Sequence, residues 1–145
     1  MKILNQQIFE NKEAAALPGL MESGGLPALV SGLSGIHRVN LAAALYERLE
    51  LPIFVVCPDD SAAESFTRDL ESMLGRPVNT LYSRDFTFYP SLAASREAEQ
   101  KRLYVLNALR CGESPVTVAT VSDLMQPAIP PPTLGNAHFP VQTGE

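Results

Sequence analysis

Apolar residues along this chain alternate between a helical spacing and short uninterrupted runs. Leu4, Ile8, Ala15, Ala16 and Leu20 predict a helix within residues 4–20, and Gly24-Gly25 breaks it. The apolar stretch at 27–31 reads as a strand leading into a glycine turn. Leu41, Leu45 and Leu49 stand four apart and predict a helix over 37–49 with those leucines inward. Pro52 ends that helix and opens Ile53-Phe54-Val55-Val56-Cys57. This run has no polar alternation, so it reads as a strand covered on both faces. Pro58-Asp59-Asp60 is a turn, and Ser61 with Glu64 forms a capping box. The helix that follows places Ala62, Phe66, Leu70, Met73 and Leu74 on one stripe, and Gly75 stops it. A strand follows at 78–82. Next comes a connection carrying Phe86, Phe88, Tyr89 and Pro90. Ser95 can cap a helix to Arg110 with Leu103, Leu106 and Leu109 inward, and Gly112 ends it. Val116-Thr117-Val118-Ala119-Thr120 is a further strand, with a short helix near Ser122–Gln126. Pro127, Pro130, Pro131 and Pro132 are read as the end of regular structure, with one short strand at 137–142 after them.

Strands alternating with helices imply βαβ units. The expected fold is an α/β three-layer sandwich with a mainly parallel sheet of about four strands. Three segments follow: an N-terminal helix and turn (1–25), an α/β domain (26–126), and a proline-rich linker with the start of a further unit (127–145). The chain has 145 residues and is 46% hydrophobic, enough for one two-sided core. No apolar run reaches the length of a membrane span, and the N-terminus lacks a signal-peptide pattern. The net charge of −5 argues against a general grip on nucleic acid. Cys57 and Cys111 lack metal-type spacing and read as buried free thiols of a reducing, cytoplasmic compartment.

The chemistry centres on Ser31-Gly32-Leu33-Ser34-Gly35-Ile36-His37-Arg38-Val39. This stretch has the setting of a phosphate-binding loop G-x-x-x-x-G-K-[ST], a strand and then a glycine turn that opens a helix. Gly32 fits the first position. His37 stands for the second glycine, Arg38 for the lysine and Val39 for the metal-binding hydroxyl. Val39 offers no oxygen, His37 adds a Cβ where backbone and phosphate must approach, and Arg38 is a flat fork instead of a compact ammonium. Each lost hydrogen bond to a charged group costs about 1.5–3 kcal/mol. The turn is then either a weak anion site at a helix N-terminus or only a connection. The second reading is preferred because three of the four defining positions fail. Gly32, Ser34, Gly35, His37, Arg38 and Val39 are therefore the candidate residues of a degenerate loop, with no cofactor or metal expected.

Other chemistry is sparse. Asp59-Asp60 and Asp123 follow strands, yet both suit helix starts better than a metal site. A nucleophilic triad needs a base, and His37 and His138 sit in no nucleophile-elbow context. Arg84, Arg96, Lys101, Arg102 and Arg110 make 84–110 locally basic. Glu97 and Glu99 are interleaved there, so a solvated mixed-charge face is expected. Phe86, Phe88 and Tyr89 could stack bases, but a segment covering the sheet is preferred.

The ordered set of motifs resembles the N-terminal region of the bacterial transcription-repair coupling factors, the Mfd family, which is itself similar to the first domain of the excision-repair protein UvrB. The residues are Gly32-Leu33-Ser34-Gly35, Phe54-Val55-Val56-Cys57-Pro58-Asp59, Leu70-x-x-x-Leu74-Gly75, Tyr89-Pro90-Ser91 with Ser95-Arg96-Glu97, Gln100-Lys101-Arg102-Leu103, and Val118-Ala119-Thr120-Val121-x-x-Leu124-Met125-Gln126. They span roughly residues 15 to 145. UvrB has an intact phosphate loop at the place of Gly32–Val39, which coupling factors have lost. UvrB also carries a long aromatic hairpin where 83–94 is too short for one. The resemblance implies a parent protein that removes stalled RNA polymerase, recruits UvrA and contacts DNA through its motor. The ATP-dependent translocase lies in other domains. No catalysis is then expected of this chain, which would make intramolecular domain contacts. Two other readings stay open: a small nucleotide-dependent enzyme of phosphate-loop type, needing a lysine supplied from elsewhere, and a nucleic-acid-binding fragment related to UvrB acting through 84–102.

Overall fold

The computed structural model describes residues 7–81 and 96–137. After a short 3-10 turn at Ile8–Glu10, the order is α1 (Lys12–Glu22), α2 (Gly35–Leu49), β1 (Ile53–Cys57), α3 (Asp60–Leu74), β2 (Asn79–Thr80), α4 (Arg96–Cys111), β3 (Val116–Thr120), α5 (Val121–Met125) and α6 (Pro131–Ala137). The sheet is parallel throughout, in the order β1-β3-β2. Ile53 pairs with Val116 and Cys57 with Thr120, while Asn79 and Thr80 pair with Thr117 and Val118.

Alternation along β3 builds two cores. Val116 and Val118 join Val39 and Ala43 of α2, Cys57 of β1 and Ala63 and Leu70 of α3. Ala119 points the other way and packs with Leu81 and Val105, against which Leu106 and Leu109 of α4 lie. Helices α2 and α3 thus cover one face and α4 the other, giving three layers. The chain crosses from β1 past β3 to β2 through α3, then steps back to β3 on the side of α4. Opposite steps with helices on opposite faces are what two crossovers of one hand require.

Local chemistry sets the ends. Asp59 Oδ1 accepts from Ala62 N–H at 2.8 Å and caps α3, so the helix begins before the expected Ser61–Glu64 box. Gly75, at φ 66°, ends it in the left-handed region. The expected stripe of α3 faces the core. Thr120 and Asp123 form a complete capping box for α5. Two of the four prolines read as terminators instead start a helix: Pro131 and Pro132 occupy the first turn of α6, where a missing N–H costs nothing.

Several expectations are corrected. Residues 27–31 form no strand; Leu29 there is 94% exposed. The described sheet has three strands, not four. β1 is an edge strand with Phe54 and Val56 exposed, so only one face is covered; β3, the central strand, is buried at all five positions. The inward face of α2 is Val39, Ala43 and Tyr46, offset from the leucines read as inward. On α4 Arg102, Val105 and Ala108 are the buried positions, and of the leucines read as inward Leu106 and Leu109 pack against that core half-buried. Cys57 is buried as expected, but Cys111 is exposed. The aromatic connection at 83–94, Ser95, and the strand at 137–142 from His138 onward lie outside the described residues.

Candidate functional site

The glycine turn enters α2 at Gly35, two residues before the expected start. Gly32 holds φ +79°, which an L side chain rarely adopts, so the turn itself selects glycine there. Gly35 is helical, and a Cβ on it would meet nothing within 4 Å. Ser34 is the N-cap residue, extended at ψ 170°, yet its side chain makes no capping bond to the helix backbone. Its Oγ instead lies 2.9 Å from His37 Nδ1, so the hydroxyl and the imidazole hold each other across the first turn.

Arg38 is exposed, but it folds back, and its Nε donates to the Leu33 carbonyl at 3.2 Å. The bond ties the guanidinium to the same turn whose amides would face an anion. Val39 is 2% exposed and packs in the main core with Ala43, Val55 and Val118. The position that would carry a metal-binding hydroxyl therefore faces the sheet. One donor of the Arg38 guanidinium is thus engaged by a backbone carbonyl, and the residue after it belongs to the core.

The nucleotide-enzyme reading needs a lysine folded in from elsewhere. Lys101 sits on α4, on the opposite face of the sheet, in an ion pair with Glu97 at 2.8 Å. That hydrogen bond, and then the charge of Lys101, lower the Glu97 carboxyl below its ordinary value. This exposed pair fits the solvated mixed-charge face read from the sequence. Arg102 does not fit it: the side chain is 5% exposed, and its Nη2 donates to the Asp123 carbonyl at 3.3 Å. Among the described residues no group of three or more His, Cys, Asp or Glu could hold a metal ion.

Asp59 and Asp123 both serve helix starts. Asp123 is buried at 2% exposure, and its Oδ2 accepts from Thr120 N–H at 2.7 Å. Among the described residues its Oδ1 has no partner. Cys57, at the carboxyl end of β1, has its thiol pushed up from 9.0 by burial and then by the nearby Asp59 charge. A buried polar chain escaped the sequence reading. Asn79 Nδ2 donates to Ser114 Oγ at 2.7 Å, and Ser114 Oγ lies 2.6 Å from Thr117 Oγ1. These residues carry no local pattern; only the β2–β3 register brings them together. A groove of about 540 Å³ is bounded by α3, β2 and α4 and is lined by no residue of the glycine turn.

The fold and the turn together define an α/β domain on a parallel sheet, in which the residues at the phosphate-loop position are engaged with one another and with the core. The chain is similar to the transcription-repair-coupling factor of Bacillus subtilis (strain 168), with 29% identity over 143 residues. The match takes in 94% of this chain and 12% of that protein, so the chain spans about an eighth of the length of the curated relative. The resemblance read from the ordered motifs thus extends over nearly the whole chain. No protein-family model matches the chain. No solved structure matches it either. Among the described residues no helix is long and apolar enough to cross a membrane.

Proposed function

We propose that this chain is a non-catalytic module of a transcription-repair coupling factor, acting as a structural unit in a protein that couples removal of stalled RNA polymerase to excision repair through UvrA. One observation carries the reading: the alignment to a transcription-repair-coupling factor covers 94% of the chain. The turn supports the non-catalytic part. Arg38 is bound to Leu33, His37 to Ser34, and Val39 belongs to the core. ATP hydrolysis and movement on DNA then belong to other domains of such a protein, and this domain contributes contacts within it. DNA is met through the motor, and UvrA and RNA polymerase through surfaces elsewhere.

The test is strand-specific repair. Removing the coding segment for this chain from its genome is expected to slow repair of transcribed strands toward the rate of untranscribed ones. Unchanged preference for the transcribed strand would contradict the coupling role. Restoration of the preference by the chain with Arg38→Ala is expected, since no phosphate contact is assigned to that guanidinium.

A further inference from the structure

Helix α6 has little of its own to make it a helix. It is seven residues long and buries none of them fully. Isolated helices shorter than about 12 residues are marginal in water, and Pro, Thr, Gly and Asn are weak helix formers. Its helical state therefore comes from what it rests on. Among the described residues that is the C-terminal end of α4.

The seat is a clamped guanidinium. Arg110 Nε and Nη2 both donate to Asn107 Oδ1, at 3.2 and 3.0 Å, and Nη2 also meets Cys111 Sγ at 3.2 Å. Nη1 is turned to α6: a Cβ placed on Gly135 would lie 3.3 Å from Nη1 and 3.6 Å from Cζ. The first distance is tighter than ordinary van der Waals contact, so a side chain there must push the guanidinium off Asn107 or lift the helix. Gly135 is not among the glycines with positive φ, so its role is close approach and not backbone freedom.

We infer that Arg110, held by Asn107, is a clasp that keeps 131–137 folded on the domain, and that releasing it melts the helix. The device changes length. The segment spans about 10 Å as a helix and about 22 Å in the extended polyproline form that Pro131 and Pro132 favour. The clasp thus sets how far the chain after Ala137 can reach from α4.

Amide hydrogen exchange of the whole chain tests this at Leu134 N–H, which donates to the Pro130 carbonyl at 3.0 Å. Replacing glycine by alanine inside a helix ordinarily favours the helix, by about fourfold. The clasp reverses that sign. Gly135→Ala is expected to lower protection at Leu134, whereas in an Arg110→Ala background the same change is expected to raise it. Arg110→Ala alone is expected to lower protection by about fourfold or more, the scale of one helix-propensity step. Asn107→Ala is expected to act in the same direction. Val105 and Ala108, buried on the inner side of α4, are expected to keep wild-type exchange. Leu134 protection unchanged by Arg110→Ala or Asn107→Ala, raised by Gly135→Ala in both backgrounds, or lost equally at Val105 and Ala108, would each overturn the clasp. None of these readouts depends on the coupling role proposed above.

Discussion

Replacing Val39 by Thr restores to the turn the hydroxyl that a phosphate loop uses for its metal, at nearly constant volume. The structure predicts the opposite of a gain. Val39 is 2% exposed, and its side chain lies among Ala43, Val55 and Val118, with no polar partner in that cluster. A hydroxyl buried without a partner costs about 1–3 kcal/mol in proteins. In a helix, Thr can bond back to the carbonyl four residues earlier, here Gly35, which offsets part of this. The expected loss is then about 1–2 kcal/mol. For a domain of this size it corresponds to a fall of about 3–7 °C in melting temperature. Urea unfolding read by circular dichroism gives the free energy, and calorimetric titration with Mg·ATP gives the binding arm. The expected result is a less stable chain with no new nucleotide affinity. A Val39→Thr chain as stable as wild type that binds Mg·ATP would refute the placement of this residue in the core and the argument built on it.

Other perturbations test neighbouring parts of the account. Leu70→Ala, at a position 1% exposed in the main core, is expected to cost about 3–5 kcal/mol in urea unfolding. Thr120→Ala removes one half of the α5 capping box and is expected to cost about 0.5–2 kcal/mol in the same assay. The Cys57 thiol is raised in the folded chain, so folding favours its protonated form. The contribution is whole below the ordinary value of 9.0 and is lost as the pH climbs above it. Cys57→Ala should therefore flatten the alkaline limb of the stability–pH curve, and an unchanged slope would count against burial as the cause.

The sequence made the elements plain where local chemistry decides them. The α3 stripe from Ala62 to Leu74 and the Thr120–Asp123 start of α5 appear as read, because spacing and capping are properties of neighbouring residues. What pattern could not show was position in the sheet. Ile53–Cys57 and Val116–Thr120 are similar apolar runs, yet one is a half-covered edge and the other the buried centre. That difference arises from pairing between residues some sixty apart. The inward faces of α2 and α4 shifted for a related reason. Small residues such as Ala43 and Ala108 take the fully buried positions, and the larger leucines beside them are only half-buried. Arg102 reads as a surface charge until β3 and α5 place the Asp123 carbonyl beside it. The departures from the phosphate-loop pattern were visible residue by residue. The Ser34–His37 bond and the return of Arg38 to Leu33 depend on three-dimensional turn geometry.

The central claim is that this α/β domain has the place of a phosphate loop without the means to hold a triphosphate. Isothermal titration of the chain with Mg·ATP tests it most directly. The account predicts no saturable heat at micromolar nucleotide. Saturable micromolar binding that Arg38→Ala abolishes would contradict it.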